Sequence, residues 1–517
     1  MKDTSSPPRP HDWRRITLCL LTGVLYGLAA PDARLHFLCW VLLVPLLWAA
    51  DGTSTQRGLW YGWVAGFFVH LFCFYWVAGT IQRYSNLNVA LSLLALVLFC
   101  VYSGLPFGLI TAATVFVRSR TKVPLVVVLP PLYVAMEYLY PFIFPWNLGA
   151  GQYEVLAVIQ IADLFGVYGI SALIVTVNCA LFEVLKSLVR RRPFPVRSVS
   201  WAAILLIATI AYGLARTHAV ESVLAQGKPL TVGIVQPNVL LEERASPHLA
   251  RDIALRFTRL SQEASARGAD LIVWPESAVN YVFQPDGGPS SPSGRLKDYV
   301  RELKAALVFG SFSVEPDGMK NTAYLLDPEG RPVGRYDKVH LLAFGEYMPF
   351  SDLIPRLNGL VQGVGDFKPG RSIDPLCWDH TCVGLLICYE AILKDLARTM
   401  AERGAQLLVN ITNDAWFGDT SCPEQHLMLA SLRAVENRLY LVRSANTGIS
   451  AVVDPLGRIR ARTPVFTEAL LVEEVRLGSM RTVYQRWGDV LPKLCAAIAV
   501  VLVAMGAGSR PLATRVG

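Results

Sequence analysis

The chain has 517 residues, of which 53% are hydrophobic and only 17% charged, and its formal net charge is +8. Ordinary soluble domains have about 25% charged residues, so this composition argues against a plain soluble enzyme. The apolar content excludes a mainly disordered chain, and the ten cysteines are too few for a disulfide scaffold. The apolar residues are concentrated in certain parts of the chain, which predicts two kinds of structure within it.

Residues 1 to about 215 contain long, nearly charge-free apolar runs. A membrane span needs roughly 20 mostly apolar residues, and most of these runs are too long and too apolar for buried helices of a soluble core. The run that contains Pro106 fits either one kinked helix or two helices. In chain order the runs are Ile16–Ala30, Leu35–Ala50, Gly58–Thr80, Leu87–Val117, Val123–Phe144, Val155–Leu185 and Val199–Leu214, and a last one lies at Val490–Met505.

The basic residues between these runs predict an orientation, because cytoplasmic loops are rich in Lys and Arg. Their alternation fits a single helix at 87–117, a cytoplasmic N-terminus, seven spans, an outer domain and an eighth span that returns to the cytoplasm. No clear cleavage site follows the first run, so we expect it to remain as an anchor. The residues assigned to the cytoplasmic side are Lys2, Arg9, Arg14, Arg15, Arg57, Arg118, Arg120, Lys122, Lys186, Arg190, Arg191, Arg192, Arg197, Arg510 and Arg515.

Residues from about 229 to 475 hold most of the acidic residues, and here strand patterns alternate with helix patterns. Asp-Pro-x-Gly sequences at 327–330 and 454–457 predict hairpin turns. The alternation predicts an α/β layered domain, with limits of 1–215 for seven spans, 229–475 for this domain and 488–507 for the eighth span. The predicted elements are strands at Leu230–Gln236, Asp270–Trp274, Val308–Val314, Thr322–Leu326, Val333–Lys338, Val383–Ile387, Gln406–Ile411 and Ala451–Val453, and helices at Leu249–Arg267 and Gly294–Leu307.

Three predicted strands are each closely followed by a side chain that can take part in catalysis. Glu276 follows Leu-Ile-Val-Trp-Pro, Lys338 lies in Gly-Arg-Tyr-Asp-Lys-Val-His, and Cys388 lies in Leu-Leu-Ile-Cys-Tyr-Glu. The carboxyl ends of strands present side chains to a shared crevice. Taken alone, such a cysteine is usually a packing residue, and a lone Glu or Lys is usually a surface charge. The combination is what indicates a site.

Glu276, Lys338 and Cys388, in this order at strand ends of an α/β domain, resemble the nitrilase superfamily. Longer segments closely resemble the bacterial apolipoprotein N-acyltransferase family, and the resemblance covers nearly the whole chain. It implies a polytopic α-helical membrane domain of eight spans, with an α-β-β-α nitrilase-like sandwich between the seventh and the eighth. The segments are residues 337–349, 387–390, 412–418, 425–427, 433–438 and 445–451, together with Glu137, 144–146 and 163–169.

These residue types suit acyl transfer through a covalent intermediate. Glu276 is expected to act as general base on the Cys388 thiol, which attacks the ester of a phospholipid and forms a thioester. Lys338 and the backbone N–H of Tyr389 are candidates to stabilise the oxyanion. The resemblance implies that the acceptor is the N-terminal amine of a diacylglyceryl-modified cysteine on an apolipoprotein. It also implies a multi-pass protein of the bacterial inner membrane with its catalytic domain on the periplasmic face.

Supporting roles are expected for residues around this triad. Glu346 either orients Lys338 or caps a helix, and Glu390 holds the turn at Cys388 or a neighbouring loop. Asn413 is a candidate substrate contact that is also expected, with Asn446, to tie loops together by amide hydrogen bonds. Trp416 fits either a substrate contact or a core position.

Other features fit more than one role. The apolar segment Phe350–Phe367 fits a lid that dips into lipid or a packed helix. Glu137, a candidate substrate contact, and Asp163 lie in apolar runs, where carboxylates are costly and indicate function. They could line the space next to the outer domain, pair with one another or cap broken helices. His70 is expected to make an interhelical hydrogen bond.

No cofactor or metal is expected, because the eight histidines show no metal-ligand spacing and no phosphate-binding loop is present. The positive charge is explained by the cytoplasmic loops, so we expect no nucleic-acid partner, and we expect a monomer. Cys377 and Cys382 are either disulfide-bonded or free. Cys422-Pro423 stands where family members commonly have Gly-Pro.

The triad alone leaves two other functions open. A membrane-tethered amidase would use water to resolve the thioester, and a catalytically inactive scaffold would only bind lipid or lipoprotein. The fusion to membrane spans, the apolar segment 350–367 and the segment around Trp416 favour the transferase, and the intact triad argues against the scaffold.

Overall fold

The structure is a computed structural model, and it describes residues 10–30, 33–85, 87–244, 246–348, 367–478 and 480–510. The chain divides into two compact units. The first comprises Met1–Ala78, Val89–Leu214 and Asp489–Gly517, and the second comprises Gly79–Asn88 and Ala215–Gly488. The segment Phe350–Phe367, predicted as a lid or a packed helix, lies outside the described residues except for Phe367.

The first unit is helical, and each predicted apolar run corresponds to a helix or to a group of short helices. Among the described residues, four helices are long and apolar enough to cross a membrane, and a bent pair, Thr55–Cys73 with Trp76–Arg83, makes a fifth if it is one span. The count of eight spans therefore stays a prediction. The helices of this part of the chain are Pro10–Ala29, Val44–Ala50, Thr55–Cys73, Trp76–Tyr84, Val89–Arg120, Leu125–Leu139, Leu156–Ile159, Ala162–Phe165, Val167–Val189, Val196–Leu224 and Val490–Gly508, with 3-10 helices at Ala33–Trp40 and Leu148–Gln152.

The run at 87–117 forms one helix, Val89–Arg120, with Pro106 inside it. Gly66 of the helix Thr55–Cys73 permits close packing against it, because a Cβ on Gly66 would lie 2.3 Å from the Gly104 carbonyl oxygen. Small residues of this kind let membrane helices approach closely. The long run at 155–185 is instead divided into three helices, and Gly166 takes a φ of +63° at the last break.

The second unit contains two six-stranded sheets, with strand orders β12-β1-β2-β3-β4-β5 and β11-β10-β9-β8-β7-β6. In each sheet three central strands are parallel and the outer strands are antiparallel. The strands are β1 Lys228–Gln236, β2 Leu271–Val273, β3 Ala306–Glu315, β4 Gly318–Leu326, β5 Pro332–Asp337, β6 Leu376–Trp378, β7 Thr381–Ile387, β8 Leu407–Thr412, β9 Tyr440–Ala445, β10 Ala451–Val453, β11 Ile459–Arg462 and β12 Ala469–Leu477.

The two sheets pack face to face, and helices cover their outer faces. Val308 of β3 belongs to the same buried apolar cluster as Leu385 of β7, whereas the neighbouring Phe309 faces the opposite side. This alternation is what a strand buried on both faces requires. The second unit is therefore the predicted α-β-β-α sandwich. Its outer helices are Ala250–Ala266 and Pro292–Leu303 on the first sheet and Lys394–Glu402 and Cys422–Asn437 on the second.

Both predicted hairpin turns are present. Gly330 donates its N–H to the Asp327 carbonyl between β4 and β5, and Gly457 does the same to Asp454 between β10 and β11. One predicted boundary was wrong, because the helix expected at 294–307 ends at Leu303. Lys304 takes a left-handed φ of +55°, which stops the helix and lets β3 begin at Ala306.

Candidate active site

The sandwich brings the three predicted reactive side chains to strand ends. Glu276 lies three residues after β2, Lys338 directly follows β5, and Cys388 directly follows β7. Cys388 has a φ of +52° and begins a 3-10 helix, Cys388–Ile392, so the chain turns sharply at this residue. All three side chains are buried, with exposed fractions of 6%, 1% and 6%.

The Glu276 carboxylate is held by hydrogen bonds to both of its oxygens. Oε1 accepts from Asn321 Nδ2 at 2.7 Å, and Oε2 accepts from the Asn413 backbone N–H at 3.0 Å. Lys338 Nζ lies 3.9 Å from Oε1. Burial raises the pKa of Glu276, while the Lys338 charge opposes this rise. The result is a carboxylate of increased basicity in a fixed position, which suits a general base.

Lys338 makes its shortest ion pair with Glu346, at 2.7 Å from Oε2. Burial works against the charged ammonium, but the carboxylates of Glu346 and Glu276 outweigh it and raise the pKa of Lys338. Glu346 therefore contacts Lys338 directly, and it also accepts from the backbone N–H of Leu342 at 2.8 Å. Asn321, which sequence reasoning missed, donates to both Glu276 and Glu346; a polar amide in the buried strand β4 was the available signal.

The charges of Glu276 and Lys338 both affect the pKa of the Cys388 thiol. Burial and the Glu276 carboxylate raise its pKa to about 12, and Lys338 only partly offsets this rise. The thiol is therefore protonated at neutral pH, and a base must remove its proton before the sulfur can attack.

Glu390 links the turn at Cys388 to the loop that follows Lys338. Its Oε2 accepts from the Ile387 N–H at 2.9 Å, and its Oε1 accepts from the Val339 and His340 N–H groups and from the Tyr336 hydroxyl. Burial raises the pKa of Glu390 to about 7. Glu390 thus holds both the turn at Cys388 and the loop after Lys338, which were expected as alternatives.

The loop after β8 is tied to other loops by amide groups. Asn446 Nδ2 donates to Asn413 Oδ1 at 3.1 Å, and Asn446 Oδ1 accepts from the Val239 N–H at 2.9 Å. Trp416 is half-buried, so it is not a core residue. Substrate contact by Trp416 or Asn413 stays a prediction.

A buried polar cluster to which the sequence analysis assigned no role lies against the Cys388 backbone. It consists of Asn410, Asp414, His426 and Arg443, all nine-tenths or more buried. Burial opposes the Asp414 charge, but Arg443 and His426 hold the pKa of Asp414 well below its usual range. Burial, with the Arg443 charge, lowers the pKa of His426. The signal in the sequence was the occurrence of ionisable residues inside otherwise buried elements.

The polar residues predicted in the apolar runs belong to the first unit. Glu137 accepts from the Leu148 N–H at 2.8 Å and so caps a 3-10 helix, while Asp163 accepts from the Tyr212 hydroxyl at 2.7 Å. The predicted interhelical bond of His70 was wrong, because its Nδ1 lies 2.8 Å from the Gly66 carbonyl of its own helix. A substrate contact by Glu137 stays a prediction.

Two further findings concern cysteines and metals. Cys377 and Cys382 form a disulfide across the β6–β7 hairpin, and Cys422 is free and buried. Within the described residues, no group of three or more His, Cys, Asp or Glu side chains is arranged to hold a metal ion.

Comparisons with known proteins cover both units. Residues 231–485 match the carbon-nitrogen hydrolase family, and residues 22–180 match the apolipoprotein N-acyltransferase N-terminal domain. A crystal structure of a carbon-nitrogen hydrolase from Helicobacter pylori G27 is 20% identical, covering 51% of this chain and 94% of its own, with a TM-score of 0.39.

Curated relatives match along almost the whole length. The apolipoprotein N-acyltransferase of Geobacter metallireducens is 40% identical, over 98% of this chain and 97% of its own. The apolipoprotein N-acyltransferase of Bdellovibrio bacteriovorus is 30% identical, over 91% of this chain and 90% of its own. This chain therefore belongs to the apolipoprotein N-acyltransferase family.

Proposed function

We propose that this protein transfers a fatty acyl group from a phospholipid to the N-terminal amine of an S-diacylglyceryl cysteine on apolipoproteins, the last step of lipoprotein maturation. The observation that carries the proposal is the buried set of Glu276, Lys338 and Cys388 in a member of this family. A protonated thiol beside a carboxylate of raised pKa suits acyl transfer through a covalent intermediate.

In the first half-reaction Glu276 takes the proton of the Cys388 thiol as the sulfur attacks the ester carbonyl. The carbonyl oxygen of the ester becomes an oxyanion, for which the Lys338 ammonium and the Tyr389 N–H are the proposed donors. The carbon–oxygen bond of the ester then breaks, and the leaving lysophospholipid takes the proton from Glu276. A thioester remains on Cys388.

In the second half-reaction the unprotonated amine of the acceptor cysteine attacks the thioester carbonyl. Glu276 takes a proton from the attacking nitrogen, the carbon–sulfur bond breaks, and the thiolate recovers that proton. The enzyme returns to its starting state, and the acceptor carries an amide. The same carboxylate serves both halves, and the fixed hydrogen bonds from Asn321 and Asn413 suit this repeated use.

We further propose that this inner-membrane protein has eight spans and both termini in the cytoplasm. Its second unit, the proposed catalytic unit, would then lie on the periplasmic face. Two independent features support this orientation. The basic residues alternate between loops, and the Cys377–Cys382 disulfide lies in the catalytic unit. Disulfides persist in the periplasm and are rare in the cytosol. We expect the protein to act as a monomer and without nucleic acid.

Mass spectrometry of the full-length protein after incubation with phospholipid tests the reaction. We expect a mass gain of one acyl group on Cys388, no gain in Cys388→Ala, and loss of the adduct when a diacylglyceryl-cysteine peptide is added. The peptide should gain the same mass. Discharge by water at the same rate without the peptide would indicate the amidase instead, and a folded wild-type protein that never acquires an adduct would contradict the proposal.

A further inference from the structure

The carbonyl oxygen of Cys388 receives two hydrogen bonds from the buried cluster. His426 Nε2 lies 3.2 Å from it, and Asn410 Nδ2 donates to it at 3.3 Å. Both donors are themselves held by Arg443, whose Nη1 donates to Asn410 Oδ1 at 2.5 Å and whose Nη2 lies 3.0 Å from His426 Nδ1. One guanidinium therefore supports both groups that hold this carbonyl.

The contact with the Cys388 carbonyl requires a proton on Nε2 of His426. A carbonyl oxygen only accepts, so Nε2 must donate its hydrogen to Cys388. On the other side of the ring, His426 Nδ1 lies 3.0 Å from Arg443 Nη2 and 3.2 Å from Asp414 Oδ1. Asp414 lies 2.7 Å from the same guanidinium nitrogen and balances its buried charge. Thr412 donates to the other Asp414 oxygen at 3.0 Å, so the carboxylate is also held in place.

Holding the Cys388 carbonyl also determines the direction of the next N–H group. The carbonyl of Cys388 and the N–H of Tyr389 belong to one peptide group, which is planar and trans. In a trans peptide the two bonds point in opposite directions. With the carbonyl directed at His426 and Asn410, the Tyr389 N–H must be directed away from the cluster.

We propose that Arg443, acting through His426 and Asn410, holds this peptide group so that the Tyr389 N–H points at the oxyanion formed during acyl transfer. These are positioning residues, because the peptide group lies between them and the substrate. The inference rests on the proposed function to the extent that it takes the Tyr389 N–H as an oxyanion donor. A preorganised donor of this kind stabilises the transition state more than the bound substrate.

Two reactions of the Cys388 thiol distinguish a role in directing the Tyr389 N–H from a general contribution to the stability of the fold. Attack on an ester builds negative charge on a carbonyl oxygen and uses the oxyanion donor. Alkylation by iodoacetamide is a displacement at a saturated carbon, so its transition state has no such oxyanion. A misdirected Tyr389 N–H should therefore slow acylation and leave alkylation nearly unchanged.

The experiment uses the full-length protein in detergent and the variants His426→Leu and His426→Gln. Ser431→Ala is the matched control, because Ser431 is buried in the same helix and, among the described residues, its hydroxyl donates only to the Leu427 carbonyl of that helix. Acylation is followed as the initial burst of p-nitrophenolate from a p-nitrophenyl fatty acid ester. Alkylation of Cys388 is followed by mass spectrometry, and thermal unfolding reports the folded fraction.

For His426→Leu we expect acylation to fall at least about tenfold while alkylation stays within about twofold. The fall should appear in kcat with little change in KM. His426→Gln should recover much of the rate, because its amide can donate to the Cys388 carbonyl and accept from Arg443. Ser431→Ala should behave like the wild type.

Two results would overturn the inference. Equal losses of acylation and alkylation would assign the cluster a purely structural role, and unchanged acylation in folded His426→Leu would assign it none. Neither result depends on lipoprotein substrates, since the ester and iodoacetamide report on Cys388 directly. Failure of wild-type protein to acylate a diacylglyceryl-cysteine peptide would instead count against the proposed function, and the comparison of variants would still stand.

Discussion

Glu276 and Cys388 both have raised pKa values because they are buried, and the buried Lys338 charge acts on both. A thiol with a pKa of about 12 is almost wholly protonated at neutral pH. In the proposed mechanism the thiolate is therefore formed only when Glu276 accepts the proton during attack. Since the thiolate is the species that is readily oxidised, the resting enzyme should also resist oxidation.

The pH dependence of acylation follows from the raised pKa of Glu276. The base acts in its ionised form, so the rate should fall as the pH is lowered through that pKa. Glu276→Gln should reduce the rate by about 10² to 10⁴ and remove this acidic limb. Burst kinetics with a p-nitrophenyl ester from pH 4 to 9 measure both effects.

Glu243→Gln is the matched control for this prediction. Glu243 lies in the same unit, and its pairing with Arg256 keeps its pKa low rather than high. This variant should keep both the rate and the acidic limb. An acidic limb that persists unchanged in Glu276→Gln would show that another group is the base.

At the scale of elements, strand packing positions Glu276, the proposed catalytic base. Gly310 in β3 lies against the backbone of the Glu276 segment, and a Cβ there would be 2.4 Å from the Ser277 nitrogen and 2.7 Å from the Glu276 Cα. Because backbone atoms cannot yield easily, Gly310→Ala should displace the base and lower the acylation rate at least about tenfold.

Gly288→Ala is the control, because a Cβ at Gly288 meets nothing within 4 Å. Both variants are compared by burst kinetics and by thermal unfolding. A Gly310→Ala protein with wild-type acylation would show that the strand does not determine the position of Glu276.

The β6–β7 hairpin leads directly to Cys388, the proposed nucleophile, and its disulfide joins residues that are paired across the two strands. Asp379 and His380 at its turn have positive φ values of +39° and +63°, as tight hairpin turns require. A bond that closes such a short loop stabilises the fold by about 2 kcal/mol, chiefly by restricting the unfolded chain.

Cys377→Ser with Cys382→Ser should therefore lower the unfolding temperature of the catalytic unit by about 4 to 8 °C. Acylation at 20 °C should change little, because neither sulfur belongs to the catalytic set. A reductant should lower the unfolding temperature of the wild type and leave that of the double variant unchanged. Equal unfolding temperatures for both proteins would show that the bond adds no stability.

At the scale of the whole molecule, the proposed orientation predicts which surface positions face the periplasm. Ser290 and Arg192 are exposed positions in the second and first units, respectively. In spheroplasts a membrane-impermeant maleimide should label Ser290→Cys and should label Arg192→Cys only after lysis. The eight native free cysteines are buried, so the unsubstituted protein is the control for background labelling. Labelling of Arg192→Cys without lysis would reverse the orientation.

Much of the architecture was predictable because it depends on local patterns. Apolar runs predicted the helices of the first unit, and alternating strand and helix patterns predicted an α/β layered domain. The α-β-β-α sandwich was implied by the family resemblance. The Asp-Pro-x-Gly turns formed as expected, because their geometry depends on a few adjacent residues. The helix boundary at Leu303 was missed, because a left-handed Lys304 has no clear sequence signal.

The amino-acid sequence by itself determined the chemical types at the strand ends and the division into apolar and α/β parts. Only the tertiary structure decided which partners these side chains meet. Asn413 contacts Glu276 across 137 positions of sequence, and Arg443 reaches Asn410 across 33. Such contacts depend on strand order and register, which bring distant segments together. Periodicity within one segment contains no information about the segment that packs beside it.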